Sequence, residues 1–141
     1  MKNFAVRSLV ILIILALSLS TVAFASMEAS YYLSSYGAYI SKTGNTVEVN
    51  FDVQGTGIMD KIGATEIYLF ERTDSYSSWM PVQVYLYTNP VYEPSMMNSY
   101  SSFKDDYVTY AGNSSYQYMA YITVYAEKDG GSDSRNLVVY S

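Results

Sequence analysis

Histidine and cysteine are both missing from these 141 residues, and their absence removes most of the reactions a small protein can catalyse. The usual general base, the usual zinc ligands and the Cys/His or Ser/His/Asp nucleophile systems cannot be assembled without them. No phosphate-cradling P-loop and no dinucleotide glycine fingerprint follows any strand-like run. Carboxylates and phenols remain. Hydrolysis by carboxylates alone needs two of them about 5–10 Å apart across a cleft, and Glu93 with Asp105 or Asp106 is the candidate set. Calcium would use the same kind of oxygen: Asp129 and Asp133 flank a tight turn, and Asp105-Asp106 adjoin Asn98. Neither group has the ligand spacing of a defined calcium loop, and aspartate before glycine suits a hairpin turn without any ion. The sequence therefore assigns no catalytic residue, no cofactor and no metal ligand, and leaves any calcium site open.

Tyrosine is the other resource, with 17 copies in the chain. Its rigid ring and single hydroxyl give contact area at little entropy cost, which is why paratopes use it. The same rings also stabilise sheets as cross-strand pairs, by roughly 0.2–1 kcal/mol each, with no ligand involved. On the strand pattern below, Tyr85, Tyr87, Tyr121 and Tyr125 are expected to point away from the core and form a binding surface. A second candidate is the 18-residue passage from Asn89 to Asp106, carrying Tyr92, Met96, Met97 and Tyr100. Loops of that length are uncommon in compact domains unless they function or are disordered. A hidden edge strand is the competing reading of the same passage.

Period two dominates the elements that must position these residues, and helical period is scarce. Tyr36 to Ser41 reads as a first strand. "TVEVNFDVQG" alternates with Val47, Val49, Phe51 and Val53 on one face and Glu48, Asn50, Asp52 and Gln54 on the other. That is a strand with one dry and one wet face. "GTGIMDKIGA" reads as a glycine-punctuated link, "TEIYLFER" as a third strand, and "PVQVYLYT" as a fourth with Val82, Val84 and Leu86 inward. A fifth is expected at Tyr107 to Tyr110. "YQYMAYITVYA" is the sixth, with Tyr118, Ala120, Ile122, Val124 and Ala126 on the core face. "KDGGSD" supplies a hairpin signal, and "RNLVVY" is the seventh. Seven short strands punctuated by turns predict one all-β domain over residues 26–141, a seven-stranded antiparallel β-sandwich of immunoglobulin or fibronectin type III kind. Tyr118, following "AGNSS", stands where such sandwiches place a tyrosine corner. An ordinary core tyrosine is the alternative there.

Residues 1–25 read as an address. Lys2 and Arg7 precede an apolar run from Leu9 to Leu19, and Ala23 and Ala25 make an A-x-A pattern. This is the form of a secretory signal peptide, with cleavage expected between Ala25 and Ser26, and an N-terminal helix is expected if it stays attached. The apolar run is short for a bilayer span of about 20 residues, so no stable membrane anchor is expected after cleavage. All 13 acidic residues follow Ala25 but only six of the eight basic ones do, which leaves the chain from Ser26 at −7. A negative chain without basic clusters argues against nucleic acid. A secreted chain without cysteine also leans toward a bacterial source, and its domain must be held by its core alone.

The order "YYLSSYGAYI", "VEVNFDV", "MDKIGATEIYLFE", "W-x-P-V-x-V-Y", "Y-A-G" and "Y-x-A-x-I-T-V-Y-A" resembles an uncharacterised family of small secreted proteins from clostridial Gram-positive bacteria. The resemblance runs from Tyr31 to Asp133. Its most specific pieces are Met59 with Ile62-Gly63-Ala64, Trp79, and Tyr118 with Ala120 and Val124-Tyr125-Ala126. It implies secretion and a β-fold and carries over no activity or site residue. The family pattern has a second glycine after the one matching Gly112, where this chain has Asn113-Ser114-Ser115, so that turn is expected to differ. The expectation from all of this is an extracellular, noncatalytic β-sandwich that binds a protein or glycan through exposed tyrosines. A carbohydrate-binding protein is the main alternative and a small carboxylate hydrolase the more distant one.

Overall fold

The computed structural model describes residues 30–141; the expected signal peptide and its cleavage site lie outside them. Six strands and one helical turn follow in order: β1 (Leu33–Thr43), β2 (Thr46–Arg72), β3 (Met80–Leu86), α1 (Glu93–Met96), β4 (Met97–Ala111), β5 (Gln117–Lys128) and β6 (Gly131–Tyr140). All pairings are antiparallel and belong to one sheet, curled as a half-barrel.

The organising element is β2, a strand of 27 residues. Its first half pairs with β1 on one side and β4 on the other, from Val49↔Ile40 and Val49↔Val108 to Val53↔Tyr36 and Val53↔Lys104. Its second half exchanges both neighbours: Ile67 pairs with Ile122 of β5 and with Tyr85 of β3. The ladders slip between Gln54 and Met59, between Ala64 and Glu66, and between Leu69 and Phe70. Such bulges bend a strand and increase its twist, and here they let one strand serve two differently oriented stretches of sheet.

The alternation of β2 and β5 is realised as the sequence predicts. Val47, Val49, Phe51 and Val53 are buried, as are Tyr118, Ala120, Ile122, Val124 and Ala126. They join Met59, Ile62, Ala64, Ile67 and Leu69 in one cluster. The β5–β6 hairpin closes through Asp129 and Gly130, both at positive φ (53° and 80°), the backbone that a two-residue type I′ turn requires. Asp60 accepts the Asp129 N–H at 2.8 Å and ties this turn to β2.

Four expectations change. Six strands in one curled sheet stand where seven strands in two layers were expected. "GTGIMDKIGA" is no link: it stays in the strand, so the expected second and third strands are one. The passage from Asn89 to Asp106 is no open loop either. The competing reading, a hidden edge strand, is the one found: after α1 comes the first part of β4, which pairs with β2 alone among the described residues, and Met96 and Met97 are buried (0% and 8% exposed). At Gly63, φ is +154° and an added Cβ would run into the Met96 carbonyl, so glycine is what lets α1 dock on β2. Finally, β3 is inverted. Tyr85 faces the core and Val84 and Leu86 face out, each 40% exposed, because Tyr85 stands opposite buried Ile67 and opposed residues share a face.

Candidate functional site

The outer face of β3-β2-β5-β6 gathers outward-facing apolar and aromatic side chains from all four strands. Each strand there turns one set of residues to the core and the alternate set outward. With Ile67 and Leu69 buried, Tyr68 and Phe70 point out; with Ala120 and Ile122 buried, Met119 and Tyr121 point out. Register then aligns them. One row runs Val84, Tyr68, Tyr121, Val138 across all four strands, and the next runs Pro81, Phe70, Met119, Tyr140. No charge interrupts either row. Tyr68, Phe70, Met119 and Tyr121 in the middle are half-buried by their neighbours, while Val138 and Tyr140 at the margin are 48% and 62% exposed.

A polar band borders this surface. Tyr68 donates its hydroxyl to Glu66 at 3.0 Å, and that bond to a carboxylate, with the nearby negative charge, holds the phenol above its ordinary pKa. The Thr123 hydroxyl lies 3.2 Å from the second Glu66 oxygen and 3.1 Å from Asn136 Oδ1. At the other border Trp79 contacts Tyr140, ring centroids 6.0 Å apart, and the Arg72 guanidinium sits 4.3 Å from the indole centroid. Arg72 also donates to Gln117 at 2.7 Å, which fixes it in place. Beside that end lies a cavity of about 350 Å³ lined by Glu71, Arg72, Ser77, Met80, Val82 and Tyr116.

Of the four tyrosines expected on the binding surface, Tyr121 and Tyr125 lie on the outer face of β5 and are half-buried. Tyr125 stands beside Gly63 and donates to Glu127 at 2.8 Å; burial, then this bond, raises its pKa. Tyr87 packs partly against the core with Lys61 over its ring at 6.0 Å. Tyr85 is removed from the set. It is 3% exposed and donates its hydroxyl to the Thr109 carbonyl at 2.7 Å, and burial pushes its pKa well up. The signal missed was in "TEIYLFER", whose alternation places Tyr68 and Phe70 outward as soon as Ile67 and Leu69 are assigned inward.

The second candidate group also divides. Met96 and Met97 are core, and Tyr92 packs edge-on against Tyr85, centroids 5.1 Å apart. Only Tyr100 is free, 79% exposed at a positive φ of 52°. A cavity of about 240 Å³ lies between α1 and β4, lined by Tyr85, Tyr92, Ser95, Asp106, Tyr107 and Thr109. Its carboxylate is already engaged: Asp106 pairs at 3.0 Å with Lys104, which is buried and also donates to the Pro94 carbonyl at 2.7 Å. Asp133 likewise pairs with Arg135. Among the described residues no three acidic, histidine or cysteine side chains come together as a metal site. No helix among them is long and apolar enough to cross a membrane.

No family model, curated protein or solved structure matches this chain.

Proposed function

We propose that this protein is a secreted, noncatalytic binding module whose contact surface is the outer face of β3-β2-β5-β6. One observation carries this reading: eight outer positions in two adjacent rows, from Val84 to Val138 and from Pro81 to Tyr140, all hold apolar or aromatic residues. An antiparallel sheet with a solvated face normally shows polar residues there. Contiguous exposed apolar surface on a small domain marks an interaction site. Secretion is supported by the signal-like residues 1–25. Immunoglobulin-like kinship is supported by the Tyr118 hydroxyl bonding back to Asn113, as a tyrosine corner does.

Carbohydrate is a second reading, favoured by Trp79 beside Tyr140 and the adjoining cavity, since flat rings present the apolar faces on which sugars stack. A glycan array probed with the wild-type protein and with a Tyr68→Ser/Tyr121→Ser variant tests both readings, alongside a pull-down of extracellular proteins. Binding by the wild type should weaken at least about tenfold in the variant, or 1.4 kcal/mol. Undiminished binding by a folded variant would place the site elsewhere, with Tyr100 the next residue to test.

A further inference from the structure

β6 is a terminal strand of the sheet. It pairs with β5 from Gly131↔Lys128 to Tyr140↔Met119 and with no other strand among the described residues. Its backbone groups alternate in direction. The Ser141 N–H donates to the Tyr118 carbonyl at 2.9 Å, in register with the ladder, so the odd-numbered residues face β5. The N–H and C=O groups of Ser132, Ser134, Asn136, Val138 and Tyr140 therefore face the free edge.

The two halves of that edge differ. At Ser134 both groups are already satisfied: the Asp133 carboxylate accepts its N–H at 2.8 Å, and the Arg135 guanidinium donates to its C=O at 2.8 Å. The start of β1 approaches the same half, with the Tyr32 hydroxyl against Gly131. Asn136, Val138 and Tyr140 have no such cover among the described residues. Their segment, "NLVVY", is uncharged and has no proline, and its ladder has no bulge. Other edges carry the devices that discourage pairing: Pro81 and a register shift along β3, a register shift in β1, and a positive-φ residue with two aspartates in β4.

We propose that the open half of β6 pairs antiparallel with the same segment of a second copy of this chain, with the two-fold axis at Val138. Val138 then stands opposite Val138 of the second copy, and Asn136 opposite its Tyr140. This register is the one that matches all three open residues with open residues; moving the axis by one residue either brings in the capped Ser134 or leaves an open residue unmatched. Two copies that each carry a net charge of −7 from Ser26 onward repel, and this segment lets them meet without a charge at the axis. The pairing also extends the outer row, because Val138 ends the series Val84, Tyr68, Tyr121, Val138. The partner is thus self-complementary, and the contact closes on itself rather than propagating.

Sedimentation velocity on the purified protein should show a particle of twice the chain mass. Val138→Pro should yield a monomer with an unchanged circular dichroism spectrum, because the N–H that proline deletes faces the open edge. If the proline variant fails to fold, Val138→Lys carries the same expectation, since it sets two ammonium groups against each other at the axis. The register is read by cross-linking in this cysteine-free chain. Val138→Cys should form a disulfide-linked dimer, as opposed residues lie about 5.5 Å apart, within disulfide reach. Asn136→Cys alone should not, because its two copies lie about four residues, roughly 13 Å, apart. Mixed Asn136→Cys and Tyr140→Cys chains should cross-link. A monomeric wild type, a dimer that survives both Val138 substitutions, or equal cross-linking through Asn136→Cys alone would overturn the proposal.

Discussion

The Tyr118 hydroxyl closes a two-way bond with Asn113: it accepts the Asn113 N–H at 2.7 Å and donates to the Asn113 carbonyl at 3.2 Å. The ring is fully buried, packs edge-on against Tyr110 with centroids 6.3 Å apart, and leaves no room for a Cβ at Gly112. One side chain thus fixes the β4–β5 connection from inside the core. Tyr118→Phe keeps the ring and strands the bond partners, and should cost about 1–3 kcal/mol. Tyr118→Ser also opens a cavity and should cost about 3–5 kcal/mol. Urea unfolding of the two variants measures both.

Phe51 and Asn50 test the alternation of β2. Phe51 is 1% exposed within the main cluster, so Phe51→Ala should cost about 3–5 kcal/mol. Asn50 is only half-buried and makes weak contacts, 3.3 Å to Ser41 and 3.5 Å to the Glu48 carbonyl. Asn50→Ala should cost under about 0.5 kcal/mol, as a surface change does. Comparable losses in chemical denaturation would contradict the burial assigned to this strand.

Tyr85 and Tyr121 should behave oppositely although both are strand tyrosines. Tyr121→Ser removes part of a half-buried outer row and should lower stability by about 0.2–1 kcal/mol. Tyr85→Ser empties a core position and removes the bond to Thr109, so a loss of about 3–5 kcal/mol is expected. Thermal melts of the two single variants distinguish them, and equal losses would show that β3 is not inverted.

Asp52 and Asp105 stand directly opposite each other on β2 and β4. Like charges in that position are destabilising. Asp105→Lys turns repulsion into attraction and should raise the unfolding midpoint, with a gain in stability of about 0.2–1 kcal/mol at low salt. The gain should shrink in high salt, as exposed charges are screened. A midpoint that falls, or a gain indifferent to salt, would count against the pairing.

Asp74 organises the loop that carries Trp79. Its Oδ1 accepts the N–H of Tyr76 at 2.8 Å, the N–H of Ser77 at 2.9 Å and the Ser77 hydroxyl at 3.0 Å. These bonds, the Tyr76 N–H foremost, lower its pKa below 3.8. A depressed folded-state pKa contributes stability that is present above the unfolded value and lost as pH falls through the folded one. The single tryptophan makes this readable: its emission should change at acid pH below the ordinary aspartate range, and Asp74→Asn should abolish that step. An unaltered step in the variant would assign it to another carboxylate.

Sequence alone determined the two strands on which period two and burial coincide. Val47 to Val53 and Tyr118 to Ala126 put apolar residues at every second position and polar or amphipathic ones between. A one-residue slip would expose the whole set, so the face is fixed locally. The Asp129-Gly130 turn was legible for the same reason, since few residues accept positive φ in succession.

Tertiary structure decided what those local rules leave degenerate. "PVQVYLY" offers large residues on both parities, so its face was set by the neighbour: Tyr85 opposite Ile67, with the Thr109 carbonyl at hand to satisfy a buried hydroxyl. The glycines of "GTGIMDKIGA" read as a break, yet partners on both sides hold that backbone in the ladder and the bulges absorb the bend. Burial of Met96 and Met97 depended on Gly63 meeting α1 across more than 30 positions of chain. The aromatic rows, likewise, exist only because register sets Tyr68 beside Tyr121 and Phe70 beside Met119. Such contacts join residues far apart in the chain, and spacing along the chain carries no record of them.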